Sequence, residues 1–437
     1  MTEEESQEAG PGEVSRITGK RAQSQRHHAL VATFNEYLEH QRAVLVLADR
    51  VDMDAIDGNE ARVHEYVKSR YSHLDPSVAD KVAEFFITTA SKAPQEPGYM
   101  EAIQSGLTVV MDAMADEMRE RATAHQLLSD MTEAHRRKPA DALLYSSLLT
   151  SLVANYEAFI GDLVRFVINR QPGVLKSIGK TFTWGDVMAA GGVNQLQTML
   201  ADKVVDDLAR GPMAEVPKYF REKFSVQIPP LNDEISEIFL RRNIWVHNRG
   251  HVSSEYLAKL PGSIDKPEHG AVLEVDKVYL QRSADLLITT AHSLVLRVGT
   301  KVLTGDERAQ FEAQACNFPY RLLQDQRYLA VQHMCDPSHV ELFSRESHKV
   351  VTTINYWLAL KRQGRFDECR QNVEKWDVST VGPVYRLARL ALLDDEAAAL
   401  RLVEQIRGTE DLPLVFWYTW PLLSELRERT HTPIPEV

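Results

Sequence analysis

Residues Arg241-Arg242-Asn243-Ile244-Trp245-Val246-His247-Asn248-Arg249-Gly250 bring arginines, amides and an imidazole into one short stretch. A guanidinium holds a phosphate through a planar fork of N–H donors, and a His gains or loses a proton near neutral pH. A phosphate-holding cation and a proton carrier are the minimal set for cutting RNA without a metal. The bare pattern of Arg, four to six residues, then His is common: Arg21 and His27, Arg119 and His125, and Arg327 and His333 show it without shared context. Placement sets Arg242 and His247 apart.

Leu231, Ile235, Ile238, Phe239 and Trp245 mark one apolar stripe of a helix over roughly 231–247, and Arg242 falls inside it. A charge on a core-facing stripe needs a partner, because an unpaired buried charge is costly. An upstream helix offers one. Leu149, Val153, Glu157, Ile160 and Val164 recur at helical spacing, so Glu157 also interrupts an apolar face and is expected to pair with Arg242 across the bundle. His247 precedes Asn248-Arg249-Gly250, which reads as a helix C-terminus. There the helix dipole favours a protonated ring, and the chain end frees it from regular helical spacing. Asn243, four residues before His247, is placed to orient that ring.

The elements that must position these residues read as helical throughout. The chain has 437 residues, enough for several domains. Residues 1–27 are expected to be a disordered tail, and 28–138 an N-terminal helical region broken at Ala93-Pro94-Gln95-Glu96-Pro97-Gly98. Val109, Val110, Ala113 and Met114 belong to one of its stripes. Residues 139–304 read as a bundle of four or five helices. Leu144, Leu148, Leu149, Leu152, Val153, Tyr156, Ile160, Leu163 and Val167 line its first helix, and the last spans roughly 275–302. The connection from Pro261 to Gly270 reads as a polar loop. Residues 305–437 are helical again. Leu358 to Glu368 resembles the inner turn of a tetratricopeptide repeat, with Gly364 as the cap. The next pair of helices, Tyr385 to Ile406, carries Asp394-Asp395 where the matching Gly would stand. The fold class is therefore all-α, with an α-solenoid-like C-terminal region of the kind that binds a protein partner.

A net charge of −12 argues against a protein that coats nucleic acid, so RNA contacts should be local. Three well-separated cysteines fit a reducing compartment, and no apolar run approaches a membrane span, so a cytoplasmic protein is expected.

The stretch around Arg242, Asn243 and His247 resembles the HEPN superfamily (higher eukaryotes and prokaryotes nucleotide-binding). The pattern there is Arg, a polar residue, three further positions and His at the end of a late helix of an α-bundle. Tyr156-Glu157-Ala158-Phe159-Ile160 is similar to the upstream helix of one prokaryotic HEPN group. The resemblance covers about 139–303. It implies a metal-independent endoribonuclease working as a homodimer, in anti-phage defence or toxin-like growth arrest. His247 would be the general acid/base for attack of the ribose 2′-OH on the adjacent phosphate. Arg242 would stabilise the transition state, with Asn243 and Glu157 as supports. Arg241, Asn248 and Arg249 would contact RNA, and neither cofactor nor metal would take part. A partner or antitoxin would dock on the C-terminal region. Some HEPN toxins carry a modifiable Tyr two places after the His; Arg249 stands there, and Tyr256 is the next Tyr. The alternative is a non-catalytic HEPN scaffold that dimerises and binds protein through its repeats.

Other motifs carry less. Gly173 to Thr181 has five residues between its glycines where a P-loop needs four. His333, Cys335, Asp336 and His339 match no common zinc spacing. Trp417, Tyr418 and Trp420 are expected to plug the end of the helical array rather than stack bases. No serine-hydrolase elbow, His-Glu-x-x-His helix or Cys-x-x-Cys pair occurs.

Overall fold

The computed structural model describes residues 28–50, 75–90, 140–174, 183–379 and 381–430, with isolated positions between 64 and 108. The expected tail, the break at Ala93–Gly98, the Val109–Met114 stripe and most of the P-loop-like stretch lie outside these residues. Every regular element among the described residues is helical, and the protein is all-α; β-pairing is confined to the bridges His251–Val272 and Arg407–Leu412. No helix among them is long and apolar enough to cross a membrane.

In chain order the helices are α1 (Ala29–Arg50), α2 (Pro76–Ala90), α3 (Ala140–Arg170), α4 (Trp184–Ala190), α5 (Val193–Arg210) and α6 (Val216–Phe224). Then follow α7 (Asp233–Asn248), α8 (Ser254–Lys259), α9 (Lys277–Val302), α10 (Gly305–Ala315), α11 (Phe318–Gln324), α12 (Tyr328–Met334) and α13 (Pro337–Val340). The last are α14 (Glu346–Arg362), α15 (Arg370–Lys375), α16 (Pro383–Leu392), α17 (Glu396–Ile406), α18 (Leu414–Thr419) and α19 (Ser424–Arg429).

Helix α3 is the axis of the bundle. Leu149, Leu152, Val153, Tyr156, Phe159, Ile160, Leu163 and Val164 are all buried, a stripe too wide for one partner. Accordingly α1, α5, α7 and α9 all pack against it. Helix α1 lies inside this bundle rather than in a separate N-terminal region. It buries Leu30, Phe34, Tyr37 and Leu38 in the shared core. Gln41 Nε2 donates to the Leu152 carbonyl at 3.1 Å, and Asn155 Nδ2 to that of Tyr37 at 3.1 Å.

The core also runs without interruption past residue 304. Helix α9 packs on α1 and α3, and also on α10 and α12. A Cβ on Gly299 would stand 2.3 Å from the Phe311 ring, so only glycine allows α10 to seat its aromatic there. Arg327 Nε, just before α12, donates to Asp285 of α9 at 2.9 Å.

In the C-terminal region two turns close alike. Gly364 follows α14 with φ +72°, and the Arg365 N–H reaches the Leu360 carbonyl at 2.9 Å. Asp394 follows α16 with φ +60°, and the Asp395 N–H reaches Leu390 at 3.0 Å. Asp tolerates the left-handed region because its short polar side chain bonds locally. Here Lys361 Nζ binds Asp394 together with the Ala391 and Leu392 carbonyls at 2.8 and 2.9 Å. The missing glycine therefore does not change the turn.

Candidate functional site

Helix α7 carries the Arg–His stretch, and its two ends are built differently. At the start, the Asn232 side chain accepts from the Ile235 N–H at 2.8 Å, and Asp233 and Glu234 complement the positive end of the helix dipole. At the finish, Arg249 takes φ +52° and Gly250 φ +82°, and the Gly250 N–H reaches back to the Ile244 carbonyl at 3.0 Å. A Cβ on Gly250 would lie 2.9 Å from the Trp245 ring. That indole donates to the Leu273 carbonyl at 2.9 Å.

The segment after α7 folds back on it. Val252 and Ala271, Gly270 and Val252, and Leu273 and Gly250 are joined by backbone hydrogen bonds. Ile244, Val252, Tyr256 and Leu260 form a small core of their own. Pro261–Gly270 is the expected polar loop, largely exposed, with Ile264 packed against that small core, which braces the helix end.

Arg241 and Arg242 point to different environments. Arg241 Nε donates to Glu237 at 2.7 Å and its Nη1 to the Glu274 carbonyl at 2.8 Å, with the guanidinium 4.0 Å over the Tyr279 ring. Tyr256 and Tyr279 donate to the two oxygens of the same carboxylate at 2.9 and 2.6 Å. Burial opposes the charge on Arg241, but Tyr279 and Glu237 outweigh it and raise its pKa. Burial, then Glu237, pushes both tyrosine hydroxyls well above their usual range. Arg241 thus ties α7 to α8 and α9, and its geometry is that of a strut rather than of the expected RNA contact. Sequence reading missed this hub. Its one local signal is the i,i+4 pair of Glu237 and Arg241; both tyrosines arrive from further along the chain.

Arg242 Nη2 donates to Glu157 Oε1 on α3, joining the two stripes that sequence periodicity had each shown interrupted by a charge. The side chains are 17% and 24% exposed, so the pair lies at the bundle's edge. Arg242 Nε is buried with no hydrogen-bond partner among the described residues. Asn243, Val246 and His247 occupy one exposed face, at i, i+3 and i+4. His247 remains within regular helix, so it does not leave the helical spacing as expected; at about 100° per residue it sits some 140° round from Arg242. Asn248 Nδ2 donates to the His251 carbonyl at 2.6 Å, closing the turn. Arg249 is exposed beside it. The result is a guanidinium anchored at the bundle's edge and an imidazole displayed to solvent on the same helix end.

The other sequence candidates resolve as follows. His333, Asp336 and His339 line a cavity of about 850 Å3 between α7, α9 and α13. His339 Nε2 lies 2.9 Å from Ser293 Oγ, and its Nδ1 lies 3.1 Å from the His333 carbonyl, which fixes Nδ1 as the protonated nitrogen. Burial lowers the His339 pKa, and Cys335 is fully buried. No group of three or more His, Cys, Asp or Glu among the described residues is placed to hold a metal ion. Trp417 is fully buried, and Trp420 lines a smaller cavity.

No family model, curated protein or solved structure matches this chain.

Proposed function

We propose that this chain is a metal-independent endoribonuclease of the HEPN type, cleaving RNA at a composite site made by two copies in the cytoplasm. The observation that carries the reading is the junction of Arg242 with Glu157 on the same helix end that displays Asn243 and His247 to solvent, an end braced by its own small core. In this reading His247 takes the proton of a ribose 2′-OH as it attacks the adjacent phosphorus. The 2′-oxygen–phosphorus bond forms, the bond to the 5′-oxygen breaks, and the leaving oxygen takes up a proton from the second protomer's His247. The products are a 2′,3′-cyclic phosphate and a 5′-hydroxyl. Arg242 stabilises charge on the phosphoryl oxygens, Glu157 fixes the guanidinium, and Asn243 steadies the ring. Arg249 supplies an exposed cation for a flanking phosphate. Val246, 52% exposed next to His247, gives the second copy an apolar contact.

The second reading is a non-catalytic HEPN-like scaffold for a protein partner. The observation that favours it is the inward pairing of Arg242 with Glu157, which partly withdraws the guanidinium from solvent. Incubating the full chain with total RNA in EDTA decides between them. Fragments ending in cyclic phosphate, absent with His247→Ala and Arg242→Ala, support the nuclease. Intact RNA with a folded dimer supports the scaffold.

A further inference from the structure

The cavity of about 850 Å3 lies at the opposite end of α7 from His247, and Ser293 of α9 and His339 of α13 both line it. Ser293 Oγ lies 2.9 Å from His339 Nε2. The other ring nitrogen, Nδ1, donates to the His333 carbonyl at 3.1 Å, so Nε2 is the accepting nitrogen. Arg297 Nε donates to the same serine oxygen at 3.3 Å. A guanidinium can only donate, so the hydroxyl proton is left to point at Nε2. A serine whose proton is held by a neutral imidazole, itself oriented by a third group, is the arrangement of an activated nucleophile. Burial lowers the His339 pKa, which keeps the ring in its accepting form at neutral pH. Among the described residues Arg297 has no carboxylate partner; its Nη1 reaches the Gln227 carbonyl at 3.4 Å, and burial lowers its pKa. An uncompensated cation thus touches the oxygen at which negative charge develops when a serine attacks a carbonyl.

We propose that Ser293 and His339 are the catalytic pair of a second site, which hydrolyses uncharged esters with an apolar acyl group. The volume is that of a small-molecule site. Ile228, Leu231, Ile235, Leu286 and Leu329 give the acyl group an apolar wall. The nearby cations are spent, Arg282 on Glu234 and Arg327 on Asp285, so neither is free to hold a carboxylate or phosphate. The Ser293 oxygen bonds to the ester carbonyl carbon as its proton passes to His339 Nε2. The carbonyl oxygen takes the negative charge beside the Arg297 cation. Its double bond re-forms, the bond to the alcohol oxygen breaks, and the alcohol leaves with the proton from Nε2. Water, giving a proton to Nε2, then cleaves the acyl–serine bond; the acid departs and the proton returns to Ser293. This inference is independent of the nuclease reading, because no residue is shared.

The test uses the full chain and diisopropyl fluorophosphate, an uncharged reagent that phosphorylates an activated serine with loss of fluoride. Peptide mapping by mass spectrometry is expected to find the adduct on Ser293, formed faster than on the exposed Ser338 of the same chain. His339→Gln is expected to slow labelling of Ser293 by at least about 100-fold while melting as the parent does, since it removes the proton acceptor. p-Nitrophenyl butyrate is expected to be hydrolysed, and Ser293→Ala to lose that activity. Labelling of Ser293 no faster than Ser338, labelling unchanged in His339→Gln, no hydrolysis by the parent chain, or equal hydrolysis by Ser293→Ala would each overturn the proposal. Should His339→Gln unfold, the rate at Ser293 against that at Ser338 in the parent chain decides in its place.

Discussion

Arg241 and Arg242 are neighbours in the chain and opposites in the structure. Arg241 sits in a hub with Glu237, Tyr256 and Tyr279, where one carboxylate receives three donors and a backbone carbonyl takes a fourth N–H. Arg242 has one carboxylate at the bundle's edge and a buried Nε without a partner among the described residues. The first arrangement is closed and carries stability; the second is incomplete and sits at the bundle's edge, with the imidazole displayed further round the same helix. Residue type does not separate these two arginines. The completeness of their hydrogen bonding does.

His247→Ala should lower RNA cleavage by about 10²–10⁴-fold while leaving the melting temperature unchanged, because it removes a proton carrier that supports no fold contact. A drop in melting temperature matching the loss of activity would break the distinction. Glu237→Ala should destabilise the chain by about 3–5 kcal/mol in a urea titration, since it strands Arg241 as an uncompensated buried charge. If Glu157→Ala proved the more damaging to stability, the two roles would have to be exchanged. Gly250→Ala should cost about 1–2 kcal/mol, because a side chain there meets a left-handed backbone and the Trp245 ring. Glu157→Gln should cost about 1 kcal/mol or less in stability while reducing turnover more than substrate affinity, measured as kcat against KM.

The smallest effect is on pH. Burial, and then His339, hold His292 well below the ordinary His range, and burial lowers His339 and His348 as well. Each holds a proton less readily when folded than when unfolded, where it titrates near about pH 6.5. The unfolded chain therefore binds more protons there, and stability, fully present above pH 6.5, falls as the pH drops through the depressed folded values. Urea titrations between pH 7.5 and 5 should show that decline, and His292→Leu should flatten it.

The bundle was legible where periodicity was long and uninterrupted. Helix α3 spans 31 residues and buries its stripe as written, and the Glu157–Arg242 pair followed because each residue breaks an apolar face. The Glu237 hub was not legible, because Tyr256 and Tyr279 come from α8 and α9 and no spacing rule links them to α7. Nor was the placement of α1 in the bundle: its packing partners on α3 lie about a hundred residues away. At Asp394 a composition rule misled, since the turn needs a left-handed residue and not glycine as such.

Helix α9 is a shared wall. One side closes the bundle that holds Arg242 and Glu157, and the other receives α10 and α12, with Phe311 resting on Gly299. A chain stopped after residue 304 would lose the ring that covers that glycine and leave the far side of α9 wet. Shortened versions meant to isolate the bundle should therefore aggregate unless α10 to α12 are retained.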